Sequence, residues 1–128
     1  MASADSLRML EIAAAAADSK GGEDLVALDV SEPLPLVDVF LLVTGRSERN
    51  VAAIADEIED KLNEAGYKRL RREGRAESRW VLLDFGDLVV HAFHQEERAF
   101  YALERLWKDC PVLPVTVAAP EASTRPAE

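Results

Sequence analysis

The sequence predicts an α/β (α+β) domain: a single mixed β-sheet with flanking helices, in the order α-β-β-α-β-β-β-α. Three observations carry that reading. Two stretches have helical apolar spacing, a capping residue and a glycine stop. One run, "LVDVFLLVTG", is apolar enough for a strand buried on both faces. Two alternating segments, "RWVLLD" and "DLVVHAF", are joined by Phe85-Gly86, a hairpin signal.

The first helix is expected in "SADSLRMLEIAAAAADSKGG". Ser3 or Asp5 can cap it, Leu7, Leu10, Ala14 and Ala17 share a stripe, and Gly21-Gly22 ends it. Asp24 to Val30 reads as a strand, and the prolines of "SEPLP" break it, because proline removes a ladder donor. Leu36 to Gly45 is the buried strand. After it Ser47 caps the clearest helix, with Val51, Ile54, Ala55, Ile58 and Leu62 on one face and Gly66 as its stop. "YKRLRRE" is a short strand, and the hairpin follows it. "EERAFYALERLW" reads as a last helix with Phe100, Leu103 and Trp107 turned inward. The remainder is rich in Pro, Ala, Ser, Thr and Glu, so the expected organisation is a folded domain over residues 1–110 and a disordered tail over 111–128.

Composition narrows the function classes. The chain has 128 residues, 48% of them hydrophobic, which suits one domain with a real core. No run reaches the roughly 20 apolar residues that a membrane helix needs, and the N-terminus lacks the pattern of a secretory signal, so a cytoplasmic protein is expected. The single cysteine, Cys110, offers neither an internal disulfide nor metal-ligand spacing. A net charge of −9, from 24 acids and 15 bases, disfavours general nucleic-acid affinity and suits either solubility or a basic protein partner.

No enzyme is expected. His91 and His94 would project from opposite faces of one strand and could not share a metal. Glu96 and Glu97 are explained by the positive end of the next helix. Thr44-Gly45-Arg46-Ser47, between a strand and a helix, resembles the Gly-Ser turn of nucleotidyltransferases. Those enzymes hold magnesium with paired carboxylates on one strand face. Here Asp56 lies on the helix, and Asp84 and Asp87 straddle a turn, so the metal-holding pair is missing. Capping alone accounts for Ser47. No cofactor and no metal are expected.

The hairpin is more informative. With Phe85-Gly86 as a two-residue loop, Asp84 would face Asp87, Leu82 would face Val89, and Trp80 would face His91. Val81, Leu83, Leu88, Val90 and Ala92 then form an aliphatic face suited to a helical cover. The opposite face mixes Trp80, Leu82, Val89 and Phe93 with His91 and two acids. That blend suits a recognition surface, with an aromatic anchor and charge at its margin, or a second buried face closed by a helix or a sister subunit. The basic run Lys68, Arg69, Arg71, Arg72, Arg75 and Arg79, interrupted by Glu73 and Glu77, is read as a solvated strand edge or as a surface that meets RNA phosphates.

"DVFLLVTGRSERNVAAIADEI" (Asp38 to Ile58), Glu73-Gly74, "WVLLDFGDLVVHAF" (Trp80 to Phe93) and "ERAFYALERLW" (Glu97 to Trp107) together resemble the ribosomal silencing factor S family, also called Iojap-related. The resemblance runs from about Leu7 to Asp109. It implies a nucleotidyltransferase-like fold without its catalytic carboxylates, and a non-catalytic protein that binds the large ribosomal subunit through a basic ribosomal protein, the universal protein fourteen, with a possible peripheral contact to rRNA. It would occupy the face where the small subunit joins and repress translation when nutrients are scarce. It also implies a homodimer when free. On the resemblance and the hairpin pattern, Trp80 would be the apolar anchor, and Asp84 and Asp87 would pair with partner lysine or arginine. His91, Arg98 and Tyr101 would supply polar contacts. Thr44, Gly45, Ser47 and Arg49 match the family motif and are read as scaffold. The alternatives are a nucleotide-binding enzyme and a dimeric adaptor.

Overall fold

A computed structural model describes residues 2–34, 36–74, 79–96 and 110–115. Its elements are α1 (Ala4–Ser19), β1 (Glu23–Asp29), β2 (Val39–Gly45), α2 (Glu48–Glu64), β3 (Arg71–Gly74), β4 (Trp80–Asp84), β5 (Leu88–His94) and β6 (Val112–Leu113). The strands form one six-stranded sheet in the order β3-β4-β5-β2-β1-β6. The central β2–β5 pair is parallel and the other pairs are antiparallel, so the expected mixed sheet is what forms. The final helix expected over "EERAFYALERLW" falls mostly outside the described residues.

Both described helices start as their sequences dictate. Ser3 and Ser47 are the N-caps, their side chains accepting from the amides of Ser6 and Asn50, which would otherwise lack partners. On α2 the buried residues are Val51, Ile54, Ala55, Ile58 and Leu62, the face that the spacing predicts. On α1 the buried set is Ser6, Met9, Leu10, Ala13, Ala14, Ala16 and Ala17. Leu7, expected inward, is 38% exposed. The alanine run carries too little contrast between faces to fix the rotation of that helix from sequence. Two carboxylates, Asp29 at the end of β1 and Asp38 just before β2, fix its start instead. Asp38 Oδ2 accepts from the Ser3 amide at 2.9 Å and the Ser6 hydroxyl at 2.8 Å, and Asp29 Oδ2 accepts from the Ala2 amide at 2.9 Å.

The helices cover one face of the sheet, called inner here. Val39, Leu41, Val43, Val81, Leu83, Leu88, Val90 and Ala92 pack there with the α1 and α2 stripes, and Phe85 joins them from the hairpin loop. Gly45 is required where β2 hands over to α2, since a Cβ there would sit 2.7 Å from Val51 Cγ2. The outer face carries a smaller cluster of buried Leu28, Val30, Leu42 and Phe93, flanked by partly buried Val26, Val37, Phe40, Trp80 and Cys110.

Two expectations are corrected. The hairpin register is displaced by two residues: Asp84 faces Val89, Leu82 faces His91, and Trp80 faces Phe93. The connection is Phe85-Gly86-Asp87. Asp84 Oδ1 accepts from the Gly86 amide at 2.8 Å, and Gly86 takes φ +90°, a left-handed conformation that glycine enters without strain. The Asp87 carbonyl accepts from the amides of both Asp38 and Val39, which draws Asp87 out of the hairpin ladder and onto β2. A slip of two preserves faces, so the assignment of side chains to inner and outer faces stands. The second correction concerns the tail. Val112 and Leu113 pair with Leu28 and Ala27 as β6, and the Pro111 carbonyl accepts from the Asp29 amide at 2.9 Å. The flanking prolines are tolerated because this is a sheet edge.

Candidate functional site

Strand alternation places Arg71 and Glu73 of β3, Trp80, Leu82 and Asp84 of β4, and Val89, His91 and Phe93 of β5 on the outer face. This face is not uniform. Leu42 and Phe93 are sealed, whereas Phe40, Trp80 and Leu82 are half-buried and the β3 residues are exposed. The β4 end of the outer face therefore opens toward solvent, and the expected anchor stands at that opening.

Trp80 belongs to an aromatic group. Its ring centroid lies 5.2 Å from Phe93 and 6.1 Å from His91, and His91 meets Phe40 edge-on at 5.0 Å. The indole Nε1–H donates to His91 Nδ1 at 3.3 Å. Contrary to the expected pairing, Trp80 and His91 do not face each other across the strands but meet diagonally, which is what lets the indole edge reach the imidazole. His91 is 7% exposed. Burial disfavours its cation and lowers its pKa from 6.5 to about 4, so it is neutral at neutral pH. A neutral imidazole that accepts at Nδ1 carries its proton on Nε2. That buried Nε2 has no hydrogen-bond partner among the described residues. Such an unpaired donor costs about 1–3 kcal/mol.

The other candidates divide. Asp84 is half-buried and spends one oxygen on the hairpin turn, while Asp87 is exposed at the tip. Arg98 and Tyr101 lie outside the described residues. His94 falls on the face opposite His91 by alternation, and its Nδ1 accepts from the Glu96 amide at 3.2 Å. Among the described residues no group of three or more His, Cys, Asp or Glu side chains could hold a metal, and no helix there is long and apolar enough to cross a membrane.

Among the described residues, the arginines of the basic run are paired with carboxylates of the chain itself. Arg72 Nη1 bonds Asp56 at 2.9 Å and Glu59 at 2.8 Å on α2, and Arg69 pairs with Glu59 at 3.2 Å. Arg79 bridges Glu48 at 3.2 Å and Glu96 at 2.8 Å, and Arg71 lies 3.3 Å from Glu73. Glu73 was not among the residues singled out as contacts in the sequence. It belongs to the matched Glu73-Gly74 pair, but inside an arginine-rich run it read only as a compensating charge. In the structure it lines a pocket with Gly74, Trp80 and Leu82.

Fold and site together define a class: a small α+β domain whose distinctive surface is a partly open aromatic sheet margin edged by charge, the makings of a binding module. A family model described as ribosomal silencing factor during starvation matches residues 3–128, and the chain belongs to that family. It is 49% identical over 104 residues to the ribosomal silencing factor RsfS of Bacillus subtilis, covering 81% of this chain and 88% of the relative. A crystal structure from Bacillus halodurans superposes with a TM-score of 0.75 at 42% identity, covering 85% of this chain and 99% of the other. The structure of protein CV0518 from Chromobacterium violaceum gives 0.78 at 35% identity, over 89% and 96% of the two chains. The family takes its name from a regulatory role on the ribosome.

Proposed function

We propose that this chain silences ribosomes sterically in the cytoplasm, without cofactor or covalent chemistry. It docks on the large subunit through a basic ribosomal protein, the universal protein fourteen, at the face where the small subunit joins. The docked chain keeps the subunits apart and lowers translation when nutrients are scarce. The observation that carries this reading is the half-buried Trp80 at the open end of the outer face, with Glu73 exposed near it and Asp87 exposed at the hairpin tip, on a chain of net charge −9. A large aromatic at the centre of a charged rim is the arrangement that concentrates binding energy in protein interfaces. Asp87 is placed to meet a partner cation, and Asp84 offers the oxygen that the turn does not use. Arg98 and Tyr101 keep the contact roles that family membership suggests. Any rRNA contact is peripheral, because Arg69, Arg71, Arg72 and Arg79 of the basic run are held by carboxylates. When free, the chain pairs as a homodimer, which light scattering at dilute concentration tests.

The decisive experiment is a sucrose gradient of purified subunits with and without the protein. Silencing gives loss of the joined particle and recovery of the protein with the large subunit. Trp80→Ala should weaken that recovery by at least about 2 kcal/mol, roughly thirtyfold, as for a central aromatic anchor, with its circular dichroism unchanged. Wild-type co-sedimentation of this variant would remove Trp80 from the interface.

A further inference from the structure

The β3 edge of the sheet is a feature that docking through the outer face does not use. Strand β3 has β4 on one side, no further strand lies on its other side among the described residues, and all four of its residues are exposed. Hydrogen-bond parity tells which of its backbone groups face outward. The Phe85 amide donates to the Leu88 carbonyl and the His94 amide to the Arg79 carbonyl, so the odd-numbered residues of β4 spend their polar backbone groups on β5. The even-numbered ones turn to β3, where Leu82 faces Glu73 and Asp84 faces Arg71. Arg72 and Gly74 therefore point their N–H and C=O away from the sheet. The side chains add a second pattern. Arg71 and Glu73 stand two apart on the outer face, 3.3 Å from each other and each 58% exposed, and Leu70 just before them is 70% exposed. A guarded edge turns a copy away with charge of one sign. This edge carries one charge of each sign on the same face.

We propose that β3 is the edge through which two copies of this chain pair, antiparallel about a two-fold axis at Arg72, into one continuous sheet. The inference rests on the homodimer reading above and deepens it by naming the surface. Reversing the strand about Arg72 sets Arg71 opposite Glu73 of the copy and Glu73 opposite Arg71 of the copy. Two intrachain pairs thereby merge into a ring of four alternating charges, and cross-strand pairs of opposite charge favour such a register. An axis at Arg71 or at Glu73 would instead set like charges face to face. The outward N–H and C=O of Arg72 exchange hydrogen bonds with those of its copy. Leu70 comes to lie opposite Gly74 of the copy, where no side chain obstructs it. The two Arg72 side chains lie on the helix-covered face and do not repel, because each is already held by Asp56 at 2.9 Å and Glu59 at 2.8 Å. A four-residue ladder is a small interface, so the association is reversible on dilution.

Sedimentation velocity of the full chain over a dilution series is the test. The wild-type chain is expected to pass from dimer to monomer as its concentration falls. Glu73→Arg and Arg71→Glu each turn both cross-strand pairs into like-charge pairs. Each should weaken dimerisation about tenfold, the scale of two such pairs. The double variant Arg71→Glu with Glu73→Arg restores the complement and should return to within about threefold of wild type. Circular dichroism checks that each variant keeps its fold. Cross-linking checks the register in a Cys110→Ala background. Bonded antiparallel partners lie about 5.5 Å apart at Cα, within disulfide reach. Arg72→Cys should therefore form a covalent dimer when oxidised with diamide, and Arg71→Cys should not. A dimer that neither single variant weakens, that the double variant fails to restore, or that cross-links at position 71 rather than 72 would overturn pairing through β3 while leaving the homodimer reading intact. A wild-type chain that stays monomeric at every concentration, as expected if β3 received a strand of another protein instead, would overturn both.

Discussion

The two faces of one sheet carry the same strands and opposite chemistry. Leu82 and Leu83 are neighbours in sequence, yet Leu83 is fully buried beneath the helices and Leu82 lines an open pocket. The inner face is almost entirely aliphatic and closed by α1 and α2. The outer face places an imidazole, an indole and carboxylates among its apolar residues, and it closes over β2 and β5 but not over β4. A face whose only task is stability needs no polar groups, because each one buried must find a partner. The outer face retains a histidine whose Nε2 has no hydrogen-bond partner among the described residues, a cost that the inner face does not carry there.

The sharpest way to break this contrast is the neighbouring pair. Leu83→Ala should destabilise the chain by about 3 kcal/mol, because it opens a cavity in a closed core. Leu82→Ala should cost only about 1 kcal/mol, in proportion to the smaller area it shields. Urea unfolding measures both, and equal losses would mean that the two faces do the same work. The second test is titration. His91 is neutral in the fold down to pH about 4, whereas its ordinary pKa is 6.5. Below pH 6.5 the unfolded chain binds a proton that the folded chain refuses, so stability falls as pH drops and levels off below about 4. The integrated loss is about 3 kcal/mol, and His91→Phe should flatten the slope. Asp29 and Asp38 act in a lower window. Burial raises the Asp29 pKa but the hydrogen bonds from Ser31 and Ala2 outweigh it, and the Ser3 and Ser6 bonds lower that of Asp38. Their stabilisation is present above the ordinary carboxylate range and is lost as pH falls through their lowered values. The smallest expected effect is at the rim. Arg72→Ala removes partly exposed ion pairs to α2 and should cost about 0.5 kcal/mol, a loss that added salt would largely mask.

What the sequence made legible follows physical lines. The α2 stripe was readable because charged residues alternate with branched aliphatic ones at helical spacing, and the inner face because Val81, Leu83, Leu88, Val90 and Ala92 keep a strict period of two. The hairpin register was not readable. It depends on the Asp84 carboxylate holding the Gly86 amide and on Asp87 being drawn to β2, contacts that no pattern along the hairpin reveals. The strand β6 was hidden for a similar reason: Val112 and Leu113 sit between prolines and gain strand geometry only from the edge of β1. At the site, Trp80 stood out as a large aromatic among strand residues. Glu73 did not, since its meaning comes from sharing an opening with Trp80 across two strands.

The parallel pairing of β2 with β5 has a consequence for how the chain is made. Every other strand pair joins neighbours on its own side of that seam: β6-β1-β2 on one side and β3-β4-β5 on the other. During synthesis the β1–β2 half can assemble early, but its exposed flank waits until the β4–β5 half has left the exit tunnel. Parallel closure across intervening helix and strands is slow because the loop must be ordered before the pairing rewards it. The seam is therefore the step at which a nascent copy is most vulnerable to misassembly, and mutations that loosen Leu41 or Val90 should lower yield in cells more than they lower the melting temperature of the finished protein.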